Sequence, residues 1–173
     1  MEQKKPISHI AAGSVIGAIL IIFSCVVFFT NALDSPVNWL QYFVLIGGLI
    51  LFIYLYGKAM HNEVSFGNLF AYGFKATAFL ALILIAFNVI FFLVFPEFKE
   101  KGFEMLRQKM EEKGNLTPDE IEKQIQMAHK FFWLGRIGGT MLGTAIIGAI
   151  SSLIGAAITP KKPVNPVDQL DMR

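Results

Sequence analysis

Four long apolar stretches, nearly free of charge, constrain the fold of this sequence more than any other feature. They cover about residues 10–31, 37–56, 69–95 and 136–158. A helix of about 20 apolar residues crosses the hydrocarbon core of a bilayer, because each residue adds 1.5 Å. Only 16% of the residues are charged, and more than half of those lie between the third and fourth stretches. The sequence therefore predicts an all-α integral membrane protein, with four transmembrane helices in an up-down bundle surrounded by lipid.

The first stretch has an alternative interpretation as a cleaved signal peptide. Lys4 and Lys5 precede it, and small residues end it at 30–32. The apolar region of a signal peptide usually has about 7–15 residues, which is shorter than this stretch. Retention as a membrane span is therefore favoured. The single cysteine, Cys25, excludes an intrachain disulfide or a cysteine-based zinc site.

The segment 97–130 carries seven Lys/Arg and eight Asp/Glu residues. Gly114 and Asn115 can end one helix there. The following "TPDE" has the features of a helix start: Thr117 as the N-cap, Pro118 in the first helical position and Glu120 in the third. These signals predict a helical hairpin outside the membrane, between spans three and four. We call residues 97–130 the charged segment.

Two polar side chains stand out in the third stretch. Lys75 directly precedes Ala76–Phe95, an apolar run whose 20 residues suffice to cross the bilayer. Lys75 can therefore lie at the membrane edge, with its ammonium among the headgroups. Asn88 lies deeper and is the candidate intramembrane polar residue. Bonds from Asn88 to a hydroxyl on another span would help helices associate, and a ligand site is the alternative. The candidate hydroxyls are those of Ser24, Thr140, Thr144 and Ser151.

Small residues recur at intervals of about four in the first and fourth stretches. Small side chains let helix backbones approach closely, which favours association in lipid. We expect the fourth span to pack against the first inside the bundle, with a homodimer contact as the alternative. The residues predicted to pack in this way are Gly13, Gly17, Gly139, Gly143, Gly148 and Ser152.

Positive charges near the span ends indicate the orientation. Lysines precede the first span, flank the second link and follow the fourth span, whereas the first link has none. Because Lys and Arg accumulate in cytoplasmic loops, this pattern favours both termini in the cytoplasm. The seven Lys/Arg residues of the charged segment, together with Arg136 at the start of span four, count against this orientation. Residues 160–173 are predicted to be a flexible tail.

Several stretches together resemble a known family. They are "SFGNLFAYGF" before span three, "FPEF" followed by "LTPDEIE" in the charged segment, and "SSLIGAAITPKK" at the end of span four. With the order of the four spans, they resemble a bacterial membrane family catalogued as domain of unknown function 4199, over roughly residues 5–162. The resemblance implies a multi-pass protein of the bacterial inner membrane. It implies no particular site residues.

Recognisable catalytic patterns are absent from the sequence. It contains no HExxH, GxSxG, phosphate-binding Gly–Lys loop or paired cysteines, so we predict no enzyme activity, cofactor or metal. The net charge of +2 predicts no nucleic-acid partner. The favoured function is a structural, accessory or scaffold membrane protein that docks a partner through the hairpin. This partner would be another membrane protein or a second copy. The alternative is a small transporter or channel for an apolar or zwitterionic solute, lined by Asn88 and the hydroxyls of span four.

Overall fold

The computed structural model describes residues 6–30, 32 and 35–162, and every regular element in that part of the chain is helical. A short 3-10 helix, Pro36–Trp39, precedes the second α-helix. The α-helices are α1 (His9–Phe29), α2 (Leu40–Ala59), α3 (Phe66–Val94), α4 (Glu97–Lys113), α5 (Pro118–Lys130) and α6 (Phe132–Ile158). Lys4, Lys5 and most of the predicted tail, from residue 163 onward, lie outside the described residues.

Four helices are long and apolar enough to cross a membrane: α1, α2 with the turn before it, α3 and α6. The prediction of an all-α, multi-pass membrane protein is therefore confirmed. At 29 and 27 residues, α3 and α6 exceed the roughly 20 residues that a bilayer core requires, so each is long enough to extend beyond that core. The other two helices, α4 and α5, are rich in charge and are not candidate spans.

Serine side chains cap the N-termini of two of the membrane helices. The Ser8 hydroxyl accepts a hydrogen bond from the Ala11 amide at 3.1 Å, and the Ser65 hydroxyl accepts one from the Asn68 amide at 3.2 Å. Each bond satisfies a backbone N–H that has no partner inside its helix.

Contacts divide the chain into two compact units. The first comprises Met1–Ile83 and Gly143–Arg173, and the second comprises Leu84–Leu142, so α3 and α6 contribute to both. Large apolar side chains from three helices form the core of the first unit. Those with almost no exposed surface are Ile16, Leu49, Ile53, Leu69 and Leu80.

In the first unit, α1 and α6 both approach α3 closely. A Cβ atom at Gly13 of α1 would lie only 2.7 Å from the carbonyl oxygen of Ala76. A Cβ atom at Gly148 of α6 would overlap the side chain of Thr77. On α6, Gly148 and Ser152 of the small-residue repeat therefore pack against α3. This corrects the expectation that the repeat packs against Gly13 and Gly17, which themselves face α3.

The start of α1, the link between α2 and α3, and the end of α6 are tied together within this unit. The Tyr72 hydroxyl donates to the carbonyl of Ile7 at 3.0 Å. The Lys162 amide donates to the carbonyl of Asn62 at 2.8 Å, and its ammonium lies 3.3 Å from the Glu63 carboxylate. The link turns sharply at His61 and Asn62, which both have positive φ. Three chain segments therefore meet at one end of the first unit.

In the second unit, α4 and α5 contact each other and bury Phe103, Ile121 and Ile125. Gly114 ends α4 with a φ of 64°, a left-handed conformation that glycine adopts without strain. Thr117 then begins α5, and the capping box predicted with Glu120 is present in full. The predicted helix end and helix start are thus both confirmed.

Candidate functional site

The closest helix contact in the first unit involves four residues, Gly73 and Thr77 of α3 with Gly148 and Ser152 of α6. We call them the α3–α6 seam. A Cβ atom at Gly73 would lie 2.6 Å from the Ser152 hydroxyl oxygen and 2.5 Å from the Ile53 side chain of α2, so there is no room for a side chain at position 73. Thr77 and Ser152 are at most 1% exposed. In the seam, a glycine of each helix therefore faces a small hydroxyl side chain of the other helix.

Two of the hydroxyl groups in and beside the seam bond within their own helices. Thr77 donates to the carbonyl of Gly73 at 2.9 Å, and Ser151 donates to the carbonyl of Ile147 at 2.7 Å. The Ser152 hydroxyl has no hydrogen-bond partner in the part of the chain that the structure describes. Direct hydrogen bonds between side chains therefore do not hold the seam together. It depends on the close approach that small residues permit.

Gly139 and Gly143, which were also predicted to pack, have a different environment. A Cβ atom at either position, or at Gly135, would meet no atom within 4 Å among the described residues beyond its own helix backbone. The repeat of small residues along α6 is therefore close-packed only towards its C-terminal end. Towards the N-terminal end, the glycines form an open face on the helix.

Asn88, the predicted intramembrane polar residue, is bonded through both atoms of its amide. Its nitrogen donates to the carbonyl of Leu84 at 2.7 Å, one turn earlier in α3. Its oxygen accepts a hydrogen bond from Nε of Arg136, in the second turn of α6, at 2.8 Å. The observed partner on the other helix is thus a guanidinium in place of the expected hydroxyl. Thr140, one of the hydroxyls suggested, donates to the Arg136 carbonyl.

Aromatic rings surround this polar pair. The guanidinium carbon of Arg136 lies 5.1 Å from the centre of the Phe92 ring. Phe92 meets Phe132 edge to face, with ring centres 5.3 Å apart. The ammonium of Lys99 lies 5.1 Å from the centre of the Phe132 ring. Two cations therefore lie against one pair of phenyl rings, an arrangement that the negative ring faces stabilise. We call Asn88, Phe92, Lys99, Phe132 and Arg136 the Arg136 site.

Arg136 was not predicted as the partner of Asn88, because in the sequence it counted only as a positive charge that bears on the orientation. A signal was present. Asn88 lies six residues before the end of α3, and Arg136 lies four residues after the start of α6. The charged segment joins these two helix ends. If it folds back on itself, residues near the two ends lie at similar heights and can meet.

The ion pairs in the charged segment are formed by exposed side chains. Arg107 of α4 and Glu122 of α5 form an ion pair at 2.7 Å, with both side chains nearly half exposed. Hydrogen bonds from the Thr117 amide and hydroxyl lower the pKa of the Glu120 carboxyl below its usual range, since they stabilise the ionised form. His129 stacks on Phe103 with ring centres 3.7 Å apart. These contacts connect or cap helices and form no recognisable catalytic group.

Comparison with known proteins identifies one family. A family model with the description "Protein of unknown function (DUF4199)" matches residues 12–161. The resemblance inferred from the sequence is confirmed by this match. Neither the curated proteins nor the solved structures provided a match.

Proposed function

Since the chain belongs to the DUF4199 family, whose function is unknown, we propose a role from its geometry: a non-enzymatic accessory protein that associates with a partner inside the membrane. The observation that carries the proposal is the open glycine face of α6, formed by Gly135, Gly139 and Gly143. Lipid chains have no requirement for such a face. A glycine face does favour contact with a second helix, because the two backbones can approach closely and form many dispersion contacts.

A second copy of this chain is the partner that we propose. Two identical glycine faces can meet about a two-fold axis, so one surface supplies both sides of the contact. Large apolar side chains flank the face, among them Leu142 and Ile146, both 60% exposed. They would fill the space around the crossing point of the two helices.

We further propose that the four spans form an up-down bundle in a bacterial inner membrane, with both termini in the cytoplasm. The hydrogen bonds from Tyr72 to Ile7 and from Lys162 to Asn62 support this arrangement, since they join three segments that an up-down order places on one side. The charged segment would then be a hairpin on the opposite side. Its positive and negative charges would contribute more to the specificity of binding a partner than to the affinity.

A transporter lined by Asn88 and the span-four hydroxyls has less support. The amide of Asn88 is bonded at both its nitrogen and its oxygen. The hydroxyls of Thr140 and Ser151 donate to carbonyls of their own helix. These bonds already use part of the hydrogen-bonding capacity of each group, which leaves less of it for a passing solute.

Cysteine cross-linking in native membranes tests the proposal. In a Cys25→Ser background, Leu142→Cys beside the glycine face should form a cross-linked dimer on mild oxidation, and adding Gly139→Leu should abolish it. Ile22→Cys, on the exposed surface of α1, is the control and should stay monomeric. Equal cross-linking at the two positions, or none at either, would contradict the second copy as partner. Affinity purification of the wild type and Gly139→Leu then shows whether a different protein occupies the face.

A further inference from the structure

From the Arg136 site we infer a binding site for the phosphate of an anionic phospholipid headgroup. The first observation is that Arg136 is held in place. Its Nε bonds to the oxygen of Asn88, whose nitrogen is itself bonded to the Leu84 carbonyl. The Phe92 ring contacts the guanidinium from another direction. A guanidinium fixed in this way loses little conformational freedom when it binds a ligand.

The second observation is that the charge of Arg136 has no counterion among the described residues. No carboxylate in the described part of the chain lies within 4 Å of its guanidinium, and Asn88 is neutral. The two terminal nitrogens make no hydrogen bond to any described residue. They provide four N–H donors in a plane, which is the geometry that binds two oxygens of a phosphate. An unneutralised charge in a membrane helix is costly unless it meets such a group.

The third observation is the level of the site. Arg136 follows the start of α6 by four residues, which is about 6 Å along the axis. Because α6 is about 10 Å longer than a hydrocarbon core of about 30 Å, its first turn or two lie near the phosphates of the lipid. Trp133 lies in the first turn, and tryptophan is enriched at this level.

Lys99 supplies a second cation for the same ligand. It is the third residue of α4, and its ammonium contacts the Phe132 ring on which Phe92 packs. No described carboxylate forms an ion pair with it. Two cations at headgroup level that no carboxylate of the described segments neutralises favour an anionic lipid over a zwitterionic one, whose own ammonium they would repel. The acyl chains of that lipid would lie along the exposed apolar surface of the helices.

The test uses the purified full-length protein in a mild non-ionic detergent. Phosphatidylglycerol, phosphatidylcholine with the same acyl chains, or inorganic phosphate is added over a range of concentrations, and the melting temperature is recorded. A ligand that binds the folded state raises this temperature as its concentration increases. We expect a rise with phosphatidylglycerol alone. An equal rise with phosphatidylcholine would overturn the site, and an equal rise with inorganic phosphate would overturn the lipid as its ligand.

Variants locate the binding. Arg136→Gln should weaken the apparent affinity for phosphatidylglycerol by about tenfold or more, because a charge-assisted pair of hydrogen bonds is lost. Arg136→Lys keeps the charge but lacks the planar guanidinium, so its affinity should lie between those of the wild type and Arg136→Gln. If Arg136→Gln does not fold, Arg136→Lys takes its place in the test. Lys99→Gln should weaken binding by a smaller factor. Lys123→Gln, which removes an exposed lysine of α5, is the matched control and should bind normally. Wild-type affinity in both Arg136 variants, or an equal loss in Lys123→Gln, would overturn the assignment.

Discussion

The α3–α6 seam and the charged segment both consist of two contacting helices, yet different forces hold them. In the seam, a Cβ atom at Gly148 would overlap Thr77, and the neighbouring hydroxyls bond within their own helices. In the charged segment, Arg107 and Glu122 pair between helices, and Thr117 and Glu120 cap α5. Contact in the seam is made by backbone and small side chains. Contact in the segment is made by buried apolar groups and exposed charges.

This difference follows from the surroundings of each pair. A helix in lipid gains little from burying apolar side chains, because the lipid chains are equally apolar, so close fit and dispersion decide its contacts. A helix in water gains from burying a stripe such as Ile121 and Ile125, and its ends require caps. The seam should therefore respond to a change in volume, and the charged segment to changes in capping and pH.

Gly148→Leu should have the largest effect. Leucine cannot fit where even a Cβ atom overlaps Thr77, so α3 and α6 must separate. Overpacking of this kind typically lowers the free energy of unfolding by about 1–3 kcal/mol. The melting temperature in detergent should fall, while Ile146→Leu, on the exposed side of the same helix, should leave it unchanged. A Gly148→Leu protein as stable as the wild type would show that close packing does not hold the seam.

Thr117→Ala should have a smaller effect that is confined to the charged segment. It removes the hydroxyl that accepts a bond from the Glu120 amide, and loss of a threonine cap typically costs about 1 kcal/mol. Hydrogen exchange should become faster in the first turns of α5 and stay unchanged at Thr77. Thr117→Ser, which keeps the hydroxyl, is the control. Faster exchange at both places would mean that the two regions unfold together.

Acid should weaken the same helix end. The pKa of Glu120 is lower in the folded state than in the unfolded state, so the carboxylate stabilises α5 fully above its unfolded-state pKa. This stabilisation is lost as the pH falls through the lower, folded-state pKa. Protection of α5 from exchange, corrected for the intrinsic effect of pH, should decline there in the wild type. Glu120→Gln should show a flatter profile, and an identical profile would exclude Glu120 as the group responsible.

Lys75→Gln should have the smallest effect, although Lys75 lies only two residues from Thr77 of the seam. Its side chain is exposed and forms no ion pair with a described carboxylate, as expected of a lysine that extends towards the headgroups. Expression level and melting temperature should match those of the wild type. A marked loss of stable protein would contradict this interpretation of Lys75 and imply that the seam depends on a charge.

Much of the helical architecture could be predicted because its causes are local. A run of about 20 apolar residues specifies a span wherever the rest of the chain lies. The box at Thr117 and Glu120 concerns four consecutive residues, and the turn at Gly114 depends on one. The open face of α6 could not be predicted, since Gly139 and Gly148 belong to similar repeats. Spacing shows that two residues share a side of a helix and does not show what that side meets.

By itself, then, the sequence determined the class of this protein, its four spans and the helix signals in the charged segment, because hydropathy and capping act over a few neighbouring residues. Only the tertiary structure decided that Gly148 meets Thr77 of α3 and that Asn88 meets Arg136. The physical reason is that small and polar residues are compatible with many neighbours at similar free energy. The arrangement of whole helices chooses among those neighbours, and it depends on every contact in the unit at once.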